Sequence, residues 1–198
     1  ITGCGSKESE LTFDKIKCLK FLRNKGVKTA KSISVKKNTE IKSEKIQKEI
    51  GFPCFIKASK SGSSFGVYKV YNQEEFIDCL NSAFEIDDEI LVETFIEGRE
   101  FSIGVLTYKN KVTVLPITEI IASNDFFDYE AKYEGKSQEI TPAKIDDKLK
   151  DKLNKISKDI YNIIGLKGFS RSEFIVNKDG IYFLETNTVP GLTSESIL

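Results

Sequence analysis

Phe169 to Ser196 reads FSRSEFIVNKDGIYFLETNTVPGLTSES. Asn177-Lys178-Asp179-Gly180 is a turn signal, and β-branched and aromatic residues flank it on both sides, the pattern of a β-hairpin. Successive side chains on a strand point to opposite faces, so Arg171 and Glu173 share one face, as do Glu185 and Asn187. Folding the chain at the turn brings Glu173 nearly opposite Glu185. Two facing carboxylates destabilise a ladder unless something positive lies between them. Carboxylate and amide oxygens suit a hard divalent cation such as Mg²⁺. The bland alternative is a solvated polar face on an exposed hairpin. Arg171 beside the acids and the Pro190-Gly191 loop after them favour the cation.

Composition bounds what this hairpin belongs to. The chain has 198 residues, enough for one domain or two small ones. Hydrophobic residues make up 39%, which supports a core, and 30% charge keeps the surface wet. Lys+Arg and Asp+Glu balance at 30 each, so neither nucleic acid nor an anionic membrane is expected as the main partner. No run approaches the roughly 20 apolar residues of a membrane span, and the start shows no secretory signal pattern. The 4 cysteines (Cys4, Cys18, Cys54, Cys79) have no CxxC spacing. They read as reduced thiols of a cytoplasmic protein rather than a zinc site or a disulfide framework. With 0 histidines, catalysis must use carboxylates, Lys, Arg, Tyr, backbone donors or metal. Methionine is also absent, even at position 1, and the expectation is a piece of a longer protein.

Upstream of the hairpin, Ile1–Ser6 is a Gly-rich opening loop. Leu11, Ile16, Leu19 and Leu22 recur at near-helical spacing, predicting one helix from about Glu8 to Lys25 that stops at Gly26. A short strand is expected at Ser34–Lys37 and a Lys/Glu-rich helix at Glu40–Ile50. Phe55–Ala58 and Val67–Tyr71 read as strands joined by the small-residue loop Ser61–Gly66. Gln73–Phe84 reads as a helix. Ile90–Phe95, Phe101–Leu106 and Val112–Ile117 read as strands. Ala122–Thr141 is polar, aromatic and irregular, a loop long enough to suggest function or disorder. Asp147–Ile164 is an amphipathic helix, with Leu149, Leu153, Ile156, Ile160 and Ile163 stepping by four and three and Gly165 ending it.

Several groups could carry chemistry. In Ser61-Gly62-Ser63-Ser64-Phe65-Gly66 the glycines let the backbone approach a phosphate and the hydroxyls add donors. It opens no helix, so it is neither a Walker A loop nor a dinucleotide fingerprint. A strand–Gly loop–strand is closer to the flap over ATP in kinases, and an ordinary hairpin tip is the alternative. Lys57 precedes this loop and Lys15 lies on the first helix; both could place a point charge on phosphate, or simply face solvent. In Glu93–Phe101, Phe95 and Ile96 could form an apolar slot for a base, with Glu93 and Glu100 as its polar groups. An inter-strand connection with charged edges fits equally well.

Taken together, five segments resemble the D-alanine–D-alanine ligase family of ATP-grasp enzymes. They are Asp14-Lys15, FIKASKSGSSFGV, LVETFIEGREF, FDYEAKY at Phe127–Tyr133 and LETNTVPGLTSES, in the family's order and spacing. The resemblance implies an α+β ATP-grasp fold, two subdomains with antiparallel or mixed sheets gripping ATP between them. It places a small central subdomain at 1–92 and a truncated C-terminal one at 93–198, with an N-terminal α/β domain and some last helices outside this chain. It implies that ATP phosphorylates the carboxylate of one D-alanine and that the amine of a second displaces phosphate, giving the dipeptide for peptidoglycan precursors.

By the same resemblance, Lys15, Lys57, Ser63 and Ser64 handle the phosphates, and Ser63 also belongs to the catalytic set. Glu93, Ile96 and Glu100 contact adenine and ribose. Glu173, Glu185 and Asn187 hold two Mg²⁺, with Mn²⁺ as a substitute. Arg171 and the Gly191 N–H face the developing oxyanion, and Ser196 takes the acceptor's carboxylate. Lys132 and Tyr133 sit in a loop that closes over the site and excludes water from the acyl phosphate. The partners implied are small molecules, D-alanine and ATP, with a homodimer for the whole protein. Several positions depart from the family pattern. Glu173 stands where Asp is commoner, Thr94 where Lys is frequent, Phe127 for a frequent Tyr, and Glu195 where His is often found. Rival readings are another ATP-grasp carboxylate–amine ligase and, for this piece alone, a module that binds ATP and magnesium without turnover; the isolated piece is expected not to make dipeptide, because the resemblance places a contact to the first D-alanine's amine in the N-terminal domain outside this chain.

Overall fold

A computed structural model describes residues 3–39, 41–122 and 137–191. The chain divides into two compact units. The larger comprises Ile1–Thr12, Lys17–Thr29 and Glu97–Leu198, and the smaller Phe13–Ile16 and Ala30–Ile96. Among the described residues, no helix is long and apolar enough to cross a membrane.

The smaller unit is built on an antiparallel four-stranded sheet in the order β1-β4-β2-β3. Its strands are β1 (Ser32–Lys36), β2 (Cys54–Ala58), β3 (Val67–Val70) and β4 (Glu89–Thr94). Alternation decides the faces. Cys54, Ile56 and Ala58 are fully buried and join Val70, Ile90 and Val92 in the core, while Phe55 and Lys57 point the other way. Helix α3 (Ser43–Glu49) gives Ile46 to that core, and α4 (Gln73–Phe84) gives Phe76, Leu80 and Ala83. Asn72 caps α4, its side chain accepting from the amides of Glu74 and Glu75 at 3.0 and 3.1 Å.

The larger unit carries an antiparallel six-stranded sheet, order β10-β9-β5-β7-β8, with β6 also paired to β5. Its strands are β5 (Arg99–Tyr108), β6 (Lys111–Val114), β7 (Thr118–Ala122), β8 (Ser137–Ile140), β9 (Phe169–Asn177) and β10 (Gly180–Asn187). Helix α5 (Asp147–Ile164) packs on β5 and β6 and buries Leu153, Ile160 and Tyr161; Phe101, Ile103, Val105, Phe174 and Phe183 are buried in the same unit. The Tyr161 hydroxyl donates to the Gly168 carbonyl at 2.7 Å, which satisfies a buried phenol at the end of the helix.

Three expectations are corrected by local chemistry. The single helix from Glu8 to Lys25 is two, α1 (Ser6–Phe13) and α2 (Lys15–Arg23). Asp14 is buried at 2% exposure and accepts from the Ser59 hydroxyl at 2.9 Å, while the Lys15 amide donates to the Ser59 carbonyl at 3.0 Å. Ser59 thus takes over hydrogen bonds that a continuous helix would have made internally. The strand expected at Val112–Ile117 ends at Val114. Pro116 has no amide to give a ladder, and β6 and β7 on either side of it pair with different stretches of β5. Within the region read as irregular, Ser137–Ile140 pairs with β7 as a short polar edge strand.

Candidate active site

In the smaller unit the charged groups stand on the sheet face turned away from its core. Register pairs Phe55 with Lys69 and with Glu93, and Lys57 with Val67 and with Leu91. Lys57 Nζ forms an ion pair with Glu93 Oε1, and the two side chains are only 17% and 6% exposed. Burial at that level makes the pair interdependent, because either charge left alone would be desolvated without compensation. Phe55 and Phe95 lie with ring centroids 6.0 Å apart, and Lys69 sits 4.2 Å over the Phe95 ring. Ile96 is half-buried next to them in sequence. Thr94, standing where the resemblance leads one to look for Lys, turns its hydroxyl to the Ile50 carbonyl at 3.1 Å.

The loop between β2 and β3 is held from below. Lys15 Nζ donates to the Ser61 carbonyl at 2.5 Å, and the Ser61 hydroxyl donates to the Phe65 carbonyl at 2.7 Å. Ser63 and Ser64 both adopt left-handed backbone, with φ of 51° and 57°. Non-glycine residues there carry strain, and such residues concentrate at ligand clamps and switches. Gly66 follows at φ 72°, and a Cβ there would lie 2.8 Å from Ile86 Cδ1. Lys15, Lys57, Ser63, Ser64, Glu93 and Ile96 thus all fall within this unit.

In the larger unit the hairpin holds a feature that simple alternation misses. The turn pairs Asn177 with Gly180 and Phe174 with Phe183, a register that would next put Leu184 opposite Glu173. Glu185 would then face the other side of the sheet. A bulge between Phe183 and Glu185 absorbs Leu184, so Glu185 pairs with Glu173, Thr186 with Ser172, and Asn187 with Arg171. Ser172 and Thr186 confirm the new phase by bonding to each other at 2.8 Å. Arg171, Glu173, Glu185 and Asn187 therefore share one face.

Strand β5 extends that face in rows. Glu173 pairs with Ser102, and Ser102 with Thr118; Arg171 pairs with Gly104; Ile175 pairs with Glu100. One row thus runs Thr118, Ser102, Glu173, Glu185 across four strands, with Glu100 on the row below and Arg171 and Asn187 on the row above. Arg171 Nη2 donates to Glu173 Oε1 at 2.9 Å, with side chains 11% and 6% exposed. Arg171 Nε is buried without a hydrogen-bond partner among the described residues. Burial raises the Glu139 carboxyl on β8, and the Arg171 charge offsets part of that rise. Elsewhere in the unit Arg99 grips Glu119 through two bonds, 2.7 and 2.8 Å, a bidentate pair of structural character.

The donor set fits a hard cation. Among the described residues there is no group of three or more His, Cys, Asp and Glu that could hold a metal. The site therefore offers two carboxylates and an amide, an oxygen-only and incomplete set of the kind Mg²⁺ accepts when phosphates and water complete its shell. Glu173 and Glu185 face each other in one row, with Arg171 bonded to Glu173. Gly191 is exposed beyond β10. Lys132, Tyr133, Ser196, Phe127 and Glu195 lie outside the described residues. The sequence reading missed Ser59, Glu139 and Ser102. Ser102 was within reach of it, since it stands two residues after Glu100 on one strand and so shares its face.

A family model described as "D-ala D-ala ligase C-terminus" matches residues 21–198. A D-alanine--D-alanine ligase of Flavobacterium johnsoniae is 50% identical over 197 residues, covering 100% of this chain and 61% of that relative. One from Christiangramia forsetii is 48% identical, covering 100% of the chain and 60% of the relative. The chain therefore spans about 60% of the length of these curated relatives. Among solved structures, the VanG D-Ala:D-Ser ligase of Enterococcus faecalis superposes with TM-score 0.85 at 35% identity, covering 98% of this chain and 57% of that one. A D-alanine--D-alanine ligase of Bacillus anthracis complexed with ATP gives TM-score 0.82 at 28% identity, covering 98% and 61%. These matches, with the antiparallel sheets, place the chain in the D-alanine–D-alanine ligase C-terminal family, with an α+β ATP-grasp fold.

Proposed function

We propose that this chain serves the ATP-dependent joining of two D-alanines through an acyl phosphate. One observation carries the reading: the bulged register that sets Glu173, Glu185, Asn187 and Arg171 on a single sheet face. Phosphoryl transfer asks a protein for positioning and charge neutralisation more than covalent help, and this face supplies oxygen ligands beside a guanidinium. Residues 1–92 and 93–198 act as the two ATP-grasp subdomains.

Lys15 and Lys57 balance phosphate charge, and the Ser63-Ser64 backbone and hydroxyls cradle phosphate oxygens. Glu93 and Glu100 hold the adenosine with Ile96 against the base. Glu173, Glu185 and Asn187 hold Mg²⁺, or Mn²⁺ in its place, which when bound neutralises phosphate charge. A carboxylate oxygen of the first D-alanine attacks the terminal phosphorus and ADP leaves. The amine of the second attacks the acyl carbon, and Arg171 with the Gly191 N–H steadies the oxyanion before phosphate departs. Lys132 and Tyr133 close over the intermediate, and Ser196 orients the acceptor. The reading further implies a cytoplasmic homodimer acting on small molecules.

The likeness to a D-Ala:D-Ser ligase favours one second reading, in which the acceptor is D-serine. Phosphate release from ATP separates them when measured with D-alanine alone and with added D-serine, D-lactate or L-alanine. Release with D-alanine alone, and a dipeptide product, supports the proposal. Faster release only when another acceptor is added overturns the acceptor assignment.

A further inference from the structure

Ser102 has no part in the site as assigned so far, and it is the odd member of the row it occupies. Its residue is 2% exposed, and its Oγ is buried with no hydrogen-bond partner among the described residues. A buried hydroxyl left idle is unusual and calls for a cause. Its in-row neighbours on β7 and β9 are Thr118 and Glu173. Thr118 is already engaged, its hydroxyl 2.6 Å from that of Thr141. Among the described residues, Glu173 is the charged acceptor directly opposite Ser102, and its Oε1 is turned toward Arg171. Directly opposed residues on neighbouring strands have Cβ atoms about 5 Å apart, so one change of Glu173 rotamer brings its carboxylate within reach of the hydroxyl. Arg171, which bonds the same carboxylate through Nη2, carries a second idle donor in Nε. Both unused donors belong to neighbours of Glu173, in a site whose carboxylate is proposed to serve a cation.

We propose that Ser102 is a positioning residue. Its hydroxyl donates to the Glu173 carboxylate when that carboxylate turns to a divalent cation, and fixes the orientation in which it does so. Groups that hydrogen-bond a metal-binding carboxylate orient it, and their loss typically costs 10–100-fold in metal affinity. The proposal rests on the cation reading of Glu173, Glu185 and Asn187. It also makes an unusual demand: the hydroxyl contributes nothing to the ligand-free fold, because among the described residues it has nothing to bond there.

The test compares wild type, Ser102→Ala and Ser102→Thr in the full-length chain. Mn²⁺ binding in the presence of ADP is followed by electron paramagnetic resonance, and thermal unfolding is measured without ligands. The expected result is a roughly tenfold or greater loss of Mn²⁺ affinity in Ser102→Ala, near wild-type affinity in Ser102→Thr, and no loss of ligand-free Tm in Ser102→Ala. Wild-type binding with Ser102→Ala within about twofold of it overturns the Ser102 assignment alone. A lowered ligand-free Tm in Ser102→Ala shows the hydroxyl to be structural and overturns it as well. If wild type with ADP takes up no Mn²⁺, the cation reading fails first and the Ser102 assignment with it.

Discussion

The two units treat charge in opposite ways. In the smaller, Lys57 and Glu93 neutralise each other inside the chain, and Lys15 is spent on the Ser61 carbonyl. In the larger, Glu173 and Glu185 face each other, Arg171 bonds Glu173, and Arg171 Nε and Ser102 Oγ are left over. The first arrangement pairs opposite charges; the second sets two carboxylates in one row and, among the described residues, leaves two donors, Arg171 Nε and Ser102 Oγ, unused. Facing acids beside unused donors mark the face proposed for the cation, while the paired Lys57 and Lys15 hold the positions proposed to meet phosphate.

That contrast can be broken most forcefully at Lys57. Lys57→Met leaves Glu93 buried and unpaired, and should destabilise the fold by about 3–5 kcal/mol in urea titration. Lys57→Met with Glu93→Leu should recover most of the loss. Glu185→Gln should do the reverse. Stability should stay within about 0.5 kcal/mol, while ATP-dependent phosphate release by the whole protein should fall by roughly tenfold or more. Equal stability losses in the two single variants would erase the distinction between a pair that holds the fold and an acid that serves a ligand.

The hairpin shows how much of this was legible. Its turn, its strands and the identity of its polar residues follow from alternation and the Asn-Lys-Asp-Gly signal. The pairing of Glu173 with Glu185 does not, because strict alternation from that turn opposes Glu173 with Leu184. The bulge is a tertiary choice: Phe183 pairs with Phe174 and Thr186 with Ser172, and both pairs can form only if one residue is looped out. Helix α5 was legible throughout, from Asp147 to Ile164, since five apolar residues and Gly165 agree. The break at Asp14 was not, because its cause, Ser59, lies far along the chain. The edge strand Ser137–Ile140 carries almost no apolar signal of its own.

Two smaller effects sharpen the comparison within each unit. Gly98 sits where a Cβ would lie 2.5 Å from the Val176 carbonyl oxygen and 2.7 Å from Ile175 Cγ2. The carbonyl is backbone and cannot swing aside, so Gly98→Ala should cost about 1–3 kcal/mol and shift the strand that carries Glu100. In the smaller unit, burial pushes the Cys54 thiol up to about 12, with Cys79 adding to the effect. The folded chain keeps that proton where the unfolded chain, near the ordinary 9.0, gives it up. Stability should therefore fall as pH rises from about 9 toward 12, and Cys54→Ala should flatten that slope in unfolding titrations. Cys4 and Cys79, only partly buried, should react with a thiol reagent before Cys54 does.

Crystals grown with Mn²⁺ and ADP, measured at the manganese absorption edge, address the central claim most directly. The account predicts anomalous density at about 2.2 Å from oxygens of Glu173, Glu185 and Asn187, within the ordinary range for carboxylate and amide ligands. Bound nucleotide with the manganese on other residues, or with those three oxygens pointing away from it, would contradict it.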